Sequence, residues 1–459
     1  MRTATMQPAG RVDVQSFLDQ HPFSAFQWRV FVLCFAIVVL DGFDTSAIGF
    51  IAPSLIKEWG VDKAALGPVL SAALVGLAAG AFAAGPLADR LGRKLVLVVS
   101  VLLFGLACIG SGCAGNLFQL TMLRFVTGVG LGAAMPNAVT LMSEFCPQRR
   151  RATVTNLMFC GFPLGAAFGG FLAAWMIPQL GWRAVLLSGG VVPLLLTLLL
   201  ALLLPESVRY MVTRGQPVQR IRAVLSRISA RADEVGEFVL SERIGVGPAP
   251  GAIGVVLSKA LRVGSAMLWL AYFMGLVIFY AMINWMPVLF KDAGLEPQQA
   301  TLVSALFPLG GIGAVLFGWL MDRFNANRII ATGYALTAVT IALIGQVVDH
   351  VGLLVATVFV AGALMNTAQS SMPSLAAAFY PTKGRATGVA WMMGIGRFGG
   401  IAGSFLVAEL AARQLRFSQI FVVVAIPAVI AALALLLKQE IHPEDNKSKA
   451  AGRAVAPAH

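Results

Sequence analysis

Long apolar runs alternate with short polar connections along most of the chain. The hydrocarbon core of a bilayer is about 30 Å thick, so a helix needs roughly 20 apolar residues to cross it. Strands of a membrane barrel are about ten residues long and alternate in polarity, unlike these runs. We therefore predict an all-α integral membrane protein with twelve transmembrane helices, spans one to twelve, at 29–52, 66–87, 95–113, 118–142, 154–176, 184–204, 265–290, 301–321, 328–347, 352–378, 386–411 and 417–437.

The composition excludes an ordinary soluble protein. The 459 residues are 58% apolar and 12% charged, whereas globular proteins carry about a quarter charged residues. Residues 1–28 lack an apolar core and a cleavage site, so we expect that no signal peptide is removed. The cysteines show neither metal-ligand spacing nor a disulfide pattern, and we interpret them as free thiols: Cys34, Cys108, Cys113, Cys146 and Cys160.

Basic residues set the predicted orientation. The net charge is +13, but Lys and Arg cluster between the apolar runs, which indicates membrane topology and not nucleic-acid binding. With the N-terminus inside, nineteen basic residues fall in cytoplasmic connections and six on the opposite side. The positive-inside rule then places both termini of this multi-pass membrane protein in the cytoplasm.

The connection 205–264 is long, polar and rich in arginine, and we expect it to form short amphipathic helices on the inner face. It divides the spans into two sets of six. The predicted domains are a cytoplasmic N-terminal segment, an N-terminal six-helix bundle, a cytoplasmic central loop, a C-terminal six-helix bundle and a cytoplasmic tail, at 1–28, 29–204, 205–264, 265–437 and 438–459.

Two short segments recur at nearly one offset. GPLADR at 85–90 returns as GWLMDR at 318–323, 233 positions later, and PQRRRAT at 147–153 returns as PTKGRAT at 381–387, 234 positions later. The two matches indicate a duplicated six-helix unit. Parallel halves related by an axis along the membrane normal are a transporter architecture, with the substrate held near the midplane.

These segments carry a resemblance to a known family. Gly85-x-x-x-Asp89-Arg90-x-Gly92-Arg93-Lys94 resembles the loop signature of the major facilitator superfamily. Arg124-x-x-x-Gly128-x-Gly130-x-Gly132 and PESVRY at 205–210 resemble its motifs in helix four and after helix six. The resemblance covers essentially the whole chain and implies the fold of twelve helices in two pseudo-symmetric halves.

A narrower resemblance lies in span one. Asp41-Gly42-Phe43-Asp44 resembles the DGxD motif of the aromatic acid:proton symporters, and residues 41–50 are similar to the 4-hydroxybenzoate/protocatechuate branch. The second loop, DRFNANR at 322–328, departs from the family pattern because it lacks the glycine and the basic pair of the first copy.

Few ionisable side chains lie inside the predicted spans, where each costs about 2.5–3.5 kcal/mol on insertion scales. The histidines all lie in termini or loops, so a proton relay must use carboxylates, and Asp41 and Asp44 are the deep ones. We interpret both as proton-coupling residues; the alternative is a structural salt bridge to Arg124. Arg397, at midplane among glycines, suits a substrate carboxylate, with a structural bond as the alternative.

Polar and aromatic groups in four spans complete the predicted site. Rings can stack on an arene, and amides and hydroxyls can bind a ring hydroxyl. The candidate substrate-binding residues are Arg397, Arg124, Asn137, Tyr280, Asn284, Trp285, Asn366, Gln369 and Ser370.

The two repeated loops are interpreted as gating elements. An ion-pair latch that breaks and reforms as the halves rock is one interpretation, and helix capping with membrane topology is the other. Glu144 can take part in gating or in structural pairing. The candidate gating residues are Gly85, Asp89, Arg90, Arg93, Glu144, Asp322 and Arg323.

The sequence thus predicts a proton-coupled symporter that imports small aromatic carboxylates, 4-hydroxybenzoate, protocatechuate or a close relative, by alternating access. Its expected partners are the aromatic anion, protons and the lipid bilayer, with no nucleic acid. We expect a monomer, no cofactor, no metal and no enzymatic activity. The alternatives are a proton-coupled multidrug exporter on the same scaffold and a membrane chemoreceptor for aromatic acids; the fixed arginine and the DGxD resemblance favour import.

Overall fold

A computed structural model describes residues 11–240, 252–313, 324–381 and 384–441. The helices in these ranges are α1 (Val14–Asp19), α2 (Ala25–Trp59), α3 (Leu66–Leu91), α4 (Arg93–Gly112), α5 (Leu117–Glu144), α6 (Gln148–Phe159), α7 (Gly161–Leu180), α8 (Trp182–Leu203), α9 (Val208–Thr213), α10 (Val218–Leu225), α11 (Ala252–Val256), α12 (Arg262–Asp292), α13 (Pro297–Leu309), α14 (Ala326–Ile344), α15 (Val351–Phe379), α16 (Arg385–Ala412) and α17 (Phe417–Ile441). Strands β1 (Arg11–Asp13) and β2 (Glu237–Val239) pair in parallel.

The helices match the predicted spans. Within the described ranges, eleven helical segments are long and apolar enough to cross a membrane. Span eight, predicted at 301–321, begins in α13, and its residues 314–321 lie outside the described residues. The all-α fold predicted from the apolar runs is therefore confirmed.

Span five is broken into two helices. α6 ends at Phe159 and α7 begins at Gly161, with Cys160 between them. Proline has no N–H, so Pro163 cannot donate the helical hydrogen bond to the carbonyl oxygen of Phe159. The missing bond explains why the helix is interrupted one turn before the proline.

The first compact unit comprises Met1–Gly42, Val75–Gly165 and Leu186–Ile244. Its helices approach each other through glycines: a β-carbon at Gly165 would overlap the carbonyl oxygen of Val39, and one at Gly132 would overlap that of Leu77. Small residues let membrane helices pack backbone against backbone, since lipid tails supply no hydrophobic driving force for helix association.

The N-terminal segment folds onto the central loop in this unit. β1 pairs with β2, and α1 buries Phe17 and Leu18. The Gln15 side chain donates to the carbonyl oxygen of Cys146 and accepts from Arg151 and Arg209 at 2.6 and 2.9 Å. The predicted short helices of the central loop are α9 and α10, and α10 buries Ile221 and Leu225 on one face.

The second compact unit comprises Phe43–Leu74, Ala166–Val185 and Gly245–His459. It joins parts of α2, α3 and α7 to the helices of the predicted C-terminal bundle. A β-carbon at Gly49 of α2 would lie 2.9 Å from Asn284 Cα of α12, and Lys63 forms an ion pair with Asp292. These units group residues by their contacts, and each combines parts of several predicted domains. The predicted domain bounds therefore stay a prediction.

Substituting Gly165→Ala tests the close helix packing. The added methyl group overlaps backbone that cannot move aside, so we expect the free energy of unfolding to fall by about 1–3 kcal/mol. Thermal unfolding of the purified protein in detergent measures this. The matched control is Gly394→Ala, since a β-carbon at Gly394 in α16 meets no atom of the described part of the chain within 4 Å. Equal melting temperatures for the two variants would contradict the packing account.

Candidate functional site

The structure buries the predicted membrane charges. Asp41 and Asp44 lie one turn apart on α2 and are each 1% exposed, and Arg124 of α5 is 0% exposed. A buried charge is stable only with compensating polar partners, because desolvation costs several kcal/mol per ion. Asp41 and Arg124 belong to the first compact unit, and Asp44 belongs to the second.

A glycine positions Asp41 against span five. A β-carbon at Gly42 would overlap the carbonyl oxygen of Phe162, next to the break between α6 and α7. The glycine of the DGxD motif therefore lets α2 contact the backbone of α7 directly after Asp41. Any larger residue at this position would push α2 away and move the carboxylate with it.

The glycines beside Arg397 pack α16 against α12. A β-carbon at Gly396 would overlap the ring of Tyr272, one at Gly399 would overlap the carbonyl oxygen of Phe273, and one at Gly400 would lie 2.6 Å from the ring of Tyr280. Helix packing thus accounts for the glycines that flank Arg397. Arg397 itself is half-buried.

The half-buried arginine follows a glycine that packs against a buried tyrosine. A β-carbon at Gly396 would overlap the ring of Tyr272, and Arg397 is the next residue of α16. A cation at this depth, on the helix that packs against α12, has the chemistry for a carboxylate ligand.

Two candidate binding residues of α12 bond to α16. Asn284 Nδ2 donates to Ser404 Oγ, and Trp285 Nε1 donates to the carbonyl oxygen of Ser404, both at 2.9 Å. Both side chains are buried. In this structure these two hydrogen bonds hold α12 and α16 together.

The polar run of α15 bonds to neighbouring helices. Asn366 Nδ2 donates to the carbonyl oxygen of Phe307 in α13 at 3.0 Å, and Gln369 Oε1 accepts from the Tyr334 hydroxyl of α14 at 2.6 Å. Ser370 is exposed on the helix surface and donates to the carbonyl oxygen of Thr367 at 3.1 Å. The amides therefore link helices, as expected of polar groups in lipid.

The remaining candidates lie on α5 and α12. Asn137 is buried and donates to the carbonyl oxygen of Ala133 in its own helix at 2.9 Å. Tyr280 is half-buried, with its ring against Gly400. The assignment of all nine substrate-binding candidates stays a prediction.

Glu206 caps α4 at the predicted cytoplasmic end of the first unit. Its Oε1 atom accepts from the backbone N–H groups of Arg93 and Lys94 at 2.9 and 3.2 Å. Gly92 has a φ of +95°, and a β-carbon there would overlap the Glu206 carboxylate. The glycine of the loop signature is thus needed for both its backbone conformation and its lack of a side chain.

An ion pair extends this cap to α5. Arg93 Nη2 lies 2.9 Å from Glu144 Oε1, and Ser207 Oγ donates to Glu144 Oε2 at 2.6 Å. Glu144 therefore has a structural pairing within the first unit. This pairing matches one of the two interpretations that the sequence left open for Glu144.

The other gating candidates are more exposed. Arg214 donates to the carbonyl oxygens of Asp89 and Arg90 at 2.9 and 3.0 Å, which caps the end of α3. Among the residues that the structure describes, no atom lies within 4 Å of a β-carbon built at Gly85, so Gly85 makes no close contact with another described helix. Asp322 and Arg323 lie outside the described residues, and their gating roles stay predictions.

The cysteines are free thiols, as predicted. Cys146, in the connection between α5 and α6, is buried, and this burial raises the pKa of its thiol to about 11. Near neutral pH the thiol is therefore protonated and unreactive. Among the described residues, no group of His, Cys, Asp and Glu could hold a metal ion.

Sequence reasoning missed several residues that organise the site. Glu206 was visible only as part of a motif, and nothing in the sequence showed that it caps α4. Tyr334 and Ser404 lie in apolar helices. A hydroxyl group in such a helix needs a hydrogen-bond partner, and this was the one sequence signal that could have marked them.

Substituting Glu206→Ala tests the cap. Loss of the carboxylate leaves two N–H groups of α4 unpaired, and we expect the free energy of unfolding to fall by about 1–2 kcal/mol. Glu206→Gln keeps an acceptor and should lose less. Thermal unfolding in detergent measures both, with Glu234→Ala, an exposed glutamate of the same loop, as the control. A melting temperature equal to that of the control would refute the cap.

Comparison with known proteins identifies the family. The Major Facilitator Superfamily profile matches residues 34–316 and 268–458. The 4-hydroxybenzoate transporter PcaK of Pseudomonas aeruginosa is 49% identical over 440 residues, which covers 95% of this chain and 98% of that protein. A gallate transporter of Pseudomonas putida is 46% identical over 426 residues, which covers 93% and 94% of the two chains.

Solved structures agree on the fold. The crystal structure of a D-xylose–proton symporter has a TM-score of 0.69 and 18% identity, and the match covers 92% of this chain and 99% of that one. This similarity confirms the predicted transporter fold, and the sequence relatives confirm the predicted branch. The chain is a multi-pass membrane protein that belongs to the major facilitator superfamily, in its branch of aromatic acid transporters.

Proposed function

We propose that this protein imports small aromatic carboxylates together with protons by alternating access. The observation that carries the proposal is the burial of two carboxylates and an arginine inside membrane helices, Asp41, Asp44 and Arg124, with a second arginine, Arg397, beside the α12–α16 contact. Charges at such depth are costly and are commonly functional. The protein would act as a monomer in the bacterial inner membrane, with both termini in the cytoplasm.

The proposed substrate is a hydroxylated benzoate. Relatives at 49% and 46% identity are named for 4-hydroxybenzoate and gallate, which share a carboxylate and a ring hydroxyl. The two identities differ little, so they favour the shared chemistry over one hydroxylation pattern. We propose 4-hydroxybenzoate, protocatechuate or a close relative as the cargo.

Arg397 is the proposed carboxylate ligand. Its guanidinium group can donate two parallel hydrogen bonds to the two carboxylate oxygens. It lies on the helix that packs against Tyr272 and Tyr280, so aromatic rings border the position of the charge. This combination suits an acid on an arene better than a lipophilic cation, which a fixed arginine would repel.

Asp41 and Asp44 are the proposed coupling groups. The substrate is an anion near neutral pH, and a membrane potential that is negative inside opposes its entry. One cotransported proton makes the cycle electroneutral and supports about tenfold accumulation per pH unit. A second proton would add about 2.3 kcal/mol per 100 mV. The aspartates would take protons from outside and release them inside as the protein rocks.

Substituting Asp41→Asn or Asp44→Asn tests the coupling. Each amide cannot carry a proton, so we expect uphill accumulation driven by an imposed pH difference to be lost while substrate exchange at equal concentrations persists. Radiolabelled 4-hydroxybenzoate in proteoliposomes measures both activities. Asp233→Asn, at an exposed aspartate of the central loop, is the control. Accumulation at the wild-type level in both variants would exclude these residues as coupling groups.

Substituting Arg397→Ala tests the carboxylate contact. Loss of hydrogen bonds to a charged group costs about 1.5–3 kcal/mol, so we expect the Kd for 4-hydroxybenzoate to rise roughly 10- to 100-fold. Arg397→Lys keeps the charge without the bidentate geometry and should fall between the two. Calorimetric titration of the purified protein measures the affinities. Unchanged affinity of Arg397→Ala for hydroxylated benzoates would remove Arg397 from the site, and uphill efflux of a lipophilic cation would favour an exporter.

A further inference from the structure

One ion pair of the second unit joins helix ends that the sequence assigns to different six-helix bundles. Lys63 lies in the turn between α2 and α3, and Asp292 is the last residue of α12. The Lys63 ammonium group pairs with the Asp292 carboxylate, and both side chains are 38% exposed. The predicted orientation, with both termini in the cytoplasm, places these helix ends on the outer face of the membrane.

Further contacts join the same helices below this ion pair. Lys291 Nζ donates to the carbonyl oxygen of Pro53 in α2 at 3.4 Å. A β-carbon at Gly67 of α3 would lie 3.2 Å from the ring of Phe405 in α16, and one at Gly49 of α2 would overlap backbone of α12. The Lys63–Asp292 pair is thus the outermost of a series of contacts that holds α2 and α3 against α12 and α16.

A cavity keeps the ion pair in contact with water. The cavity has a volume of about 580 Å³, and its wall includes Lys63, Asp292, Gln414 and Phe417. Asp62 also lines it and places a second carboxylate beside the pair. Because water reaches both partners, their attraction is screened, and an exposed pair of this kind shifts an equilibrium by no more than about fivefold.

This modest strength suits a contact that must open repeatedly. Breaking a buried ion pair leaves charges without water, whereas the partners of a hydrated pair are solvated as soon as they separate. Two other exposed ion pairs predicted on the outer face differ in what they join. Glu58 pairs with Arg183 inside the predicted N-terminal bundle, and Glu409 pairs with Arg413 inside α16. Neither of them would break if the two predicted bundles separated.

We propose that the Lys63–Asp292 pair is an outer gate, which holds the outer ends of the two predicted bundles together and limits the fraction of protein that is open to the outside. The inference rests on the proposed function, because alternating access requires these ends to separate when substrate enters. Substrate binds from outside only to the open fraction. Weakening the pair therefore raises this fraction, and uptake at low external substrate rises in proportion.

Amide hydrogen exchange of the full-length protein in nanodiscs measures the open fraction. We expect Lys63→Gln and Asp292→Asn each to raise the exchange rates of the outer ends of α2, α3 and α12 about twofold to fivefold, without a change at the cytoplasmic start of α4. The double neutral variant should add nothing, because both changes remove one interaction. Lys63→Glu combined with Asp292→Lys reverses the pair and should restore slow exchange. Glu409→Gln, which breaks a pair within one helix, is the control.

Uptake into right-side-out membrane vesicles tests whether this opening serves transport. The initial rate of 4-hydroxybenzoate uptake, measured far below saturation, should rise in Lys63→Gln and Asp292→Asn by the same factor as hydrogen exchange. Glu58→Gln, which breaks an outer ion pair inside one predicted bundle, should leave the rate unchanged. In about 1 M salt the Debye length is about 3 Å, so the wild-type rate should approach that of the neutral variants.

The outcomes distinguish this inference from the proposed function. Unchanged hydrogen exchange in both single variants would overturn the gate, and so would a reversed pair that exchanges as fast as the neutral variants. Faster exchange without faster uptake would show a purely structural contact and would also overturn it. Wild-type vesicles that take up no 4-hydroxybenzoate would instead defeat the proposed function, while hydrogen exchange would still decide whether the pair closes the outer face.

Discussion

Placing ionisable side chains among membrane helices is the constraint on which the rest of this structure depends. Asp41, Asp44 and Arg124 are almost completely buried, and each would be destabilising if it faced lipid. Exclusion of lipid requires neighbouring helices to come very close, and Gly42 and Gly165 allow that approach between α2 and span five. These glycines let the backbone of span five pack directly against α2 around Asp41, which keeps lipid away from the carboxyl group.

The contact between α12 and α16 applies the same principle in the second unit. Gly396, Gly399 and Gly400 bring α16 onto α12, and this approach packs the ring of Tyr272 against Gly396, the residue before Arg397. Asn284 and Trp285 then lock the contact through Ser404. Some of the polar groups that the sequence marks as ligand candidates therefore form hydrogen bonds between helices, while Arg397 is half-buried on α16.

The sequence predicted the spans and the buried charges well because both depend on the local pattern of polarity. The partners of each residue depend on tertiary packing and could not be predicted in the same way. Nothing in the sequence showed that the ring of Tyr272 packs against Gly396. Tyr334 looked like one more apolar-helix residue, and the N-terminal segment showed no sign of its pairing with β2, which is 226 positions away.

The duplication preserved geometry more closely than charge. In the first copy, Glu206 follows span six and binds the backbone of Lys94 at the start of α4. The offset of 233 maps Glu206 onto Gln439 and Lys94 onto Asn327, and Gln439 Oε1 accepts from Asn327 Nδ2 at 2.8 Å.

The same connection between helix ends therefore persists in α17 and α14, although the anion has become a neutral amide. Lys438, next to Gln439, is buried over the ring of Phe379 at 4.4 Å and donates to Asn327. A charge-assisted bond is roughly twice as strong as a neutral one. In the first copy, the Glu206 carboxylate accepts from two backbone N–H groups. In the second copy, the side chains of Gln439 and Asn327 bond to each other beside the buried cation Lys438. Contacts at equivalent positions in the two halves thus differ in charge and in hydrogen-bond strength. The duplicated loops occupy equivalent positions, but their contacts do not contribute equally to stability.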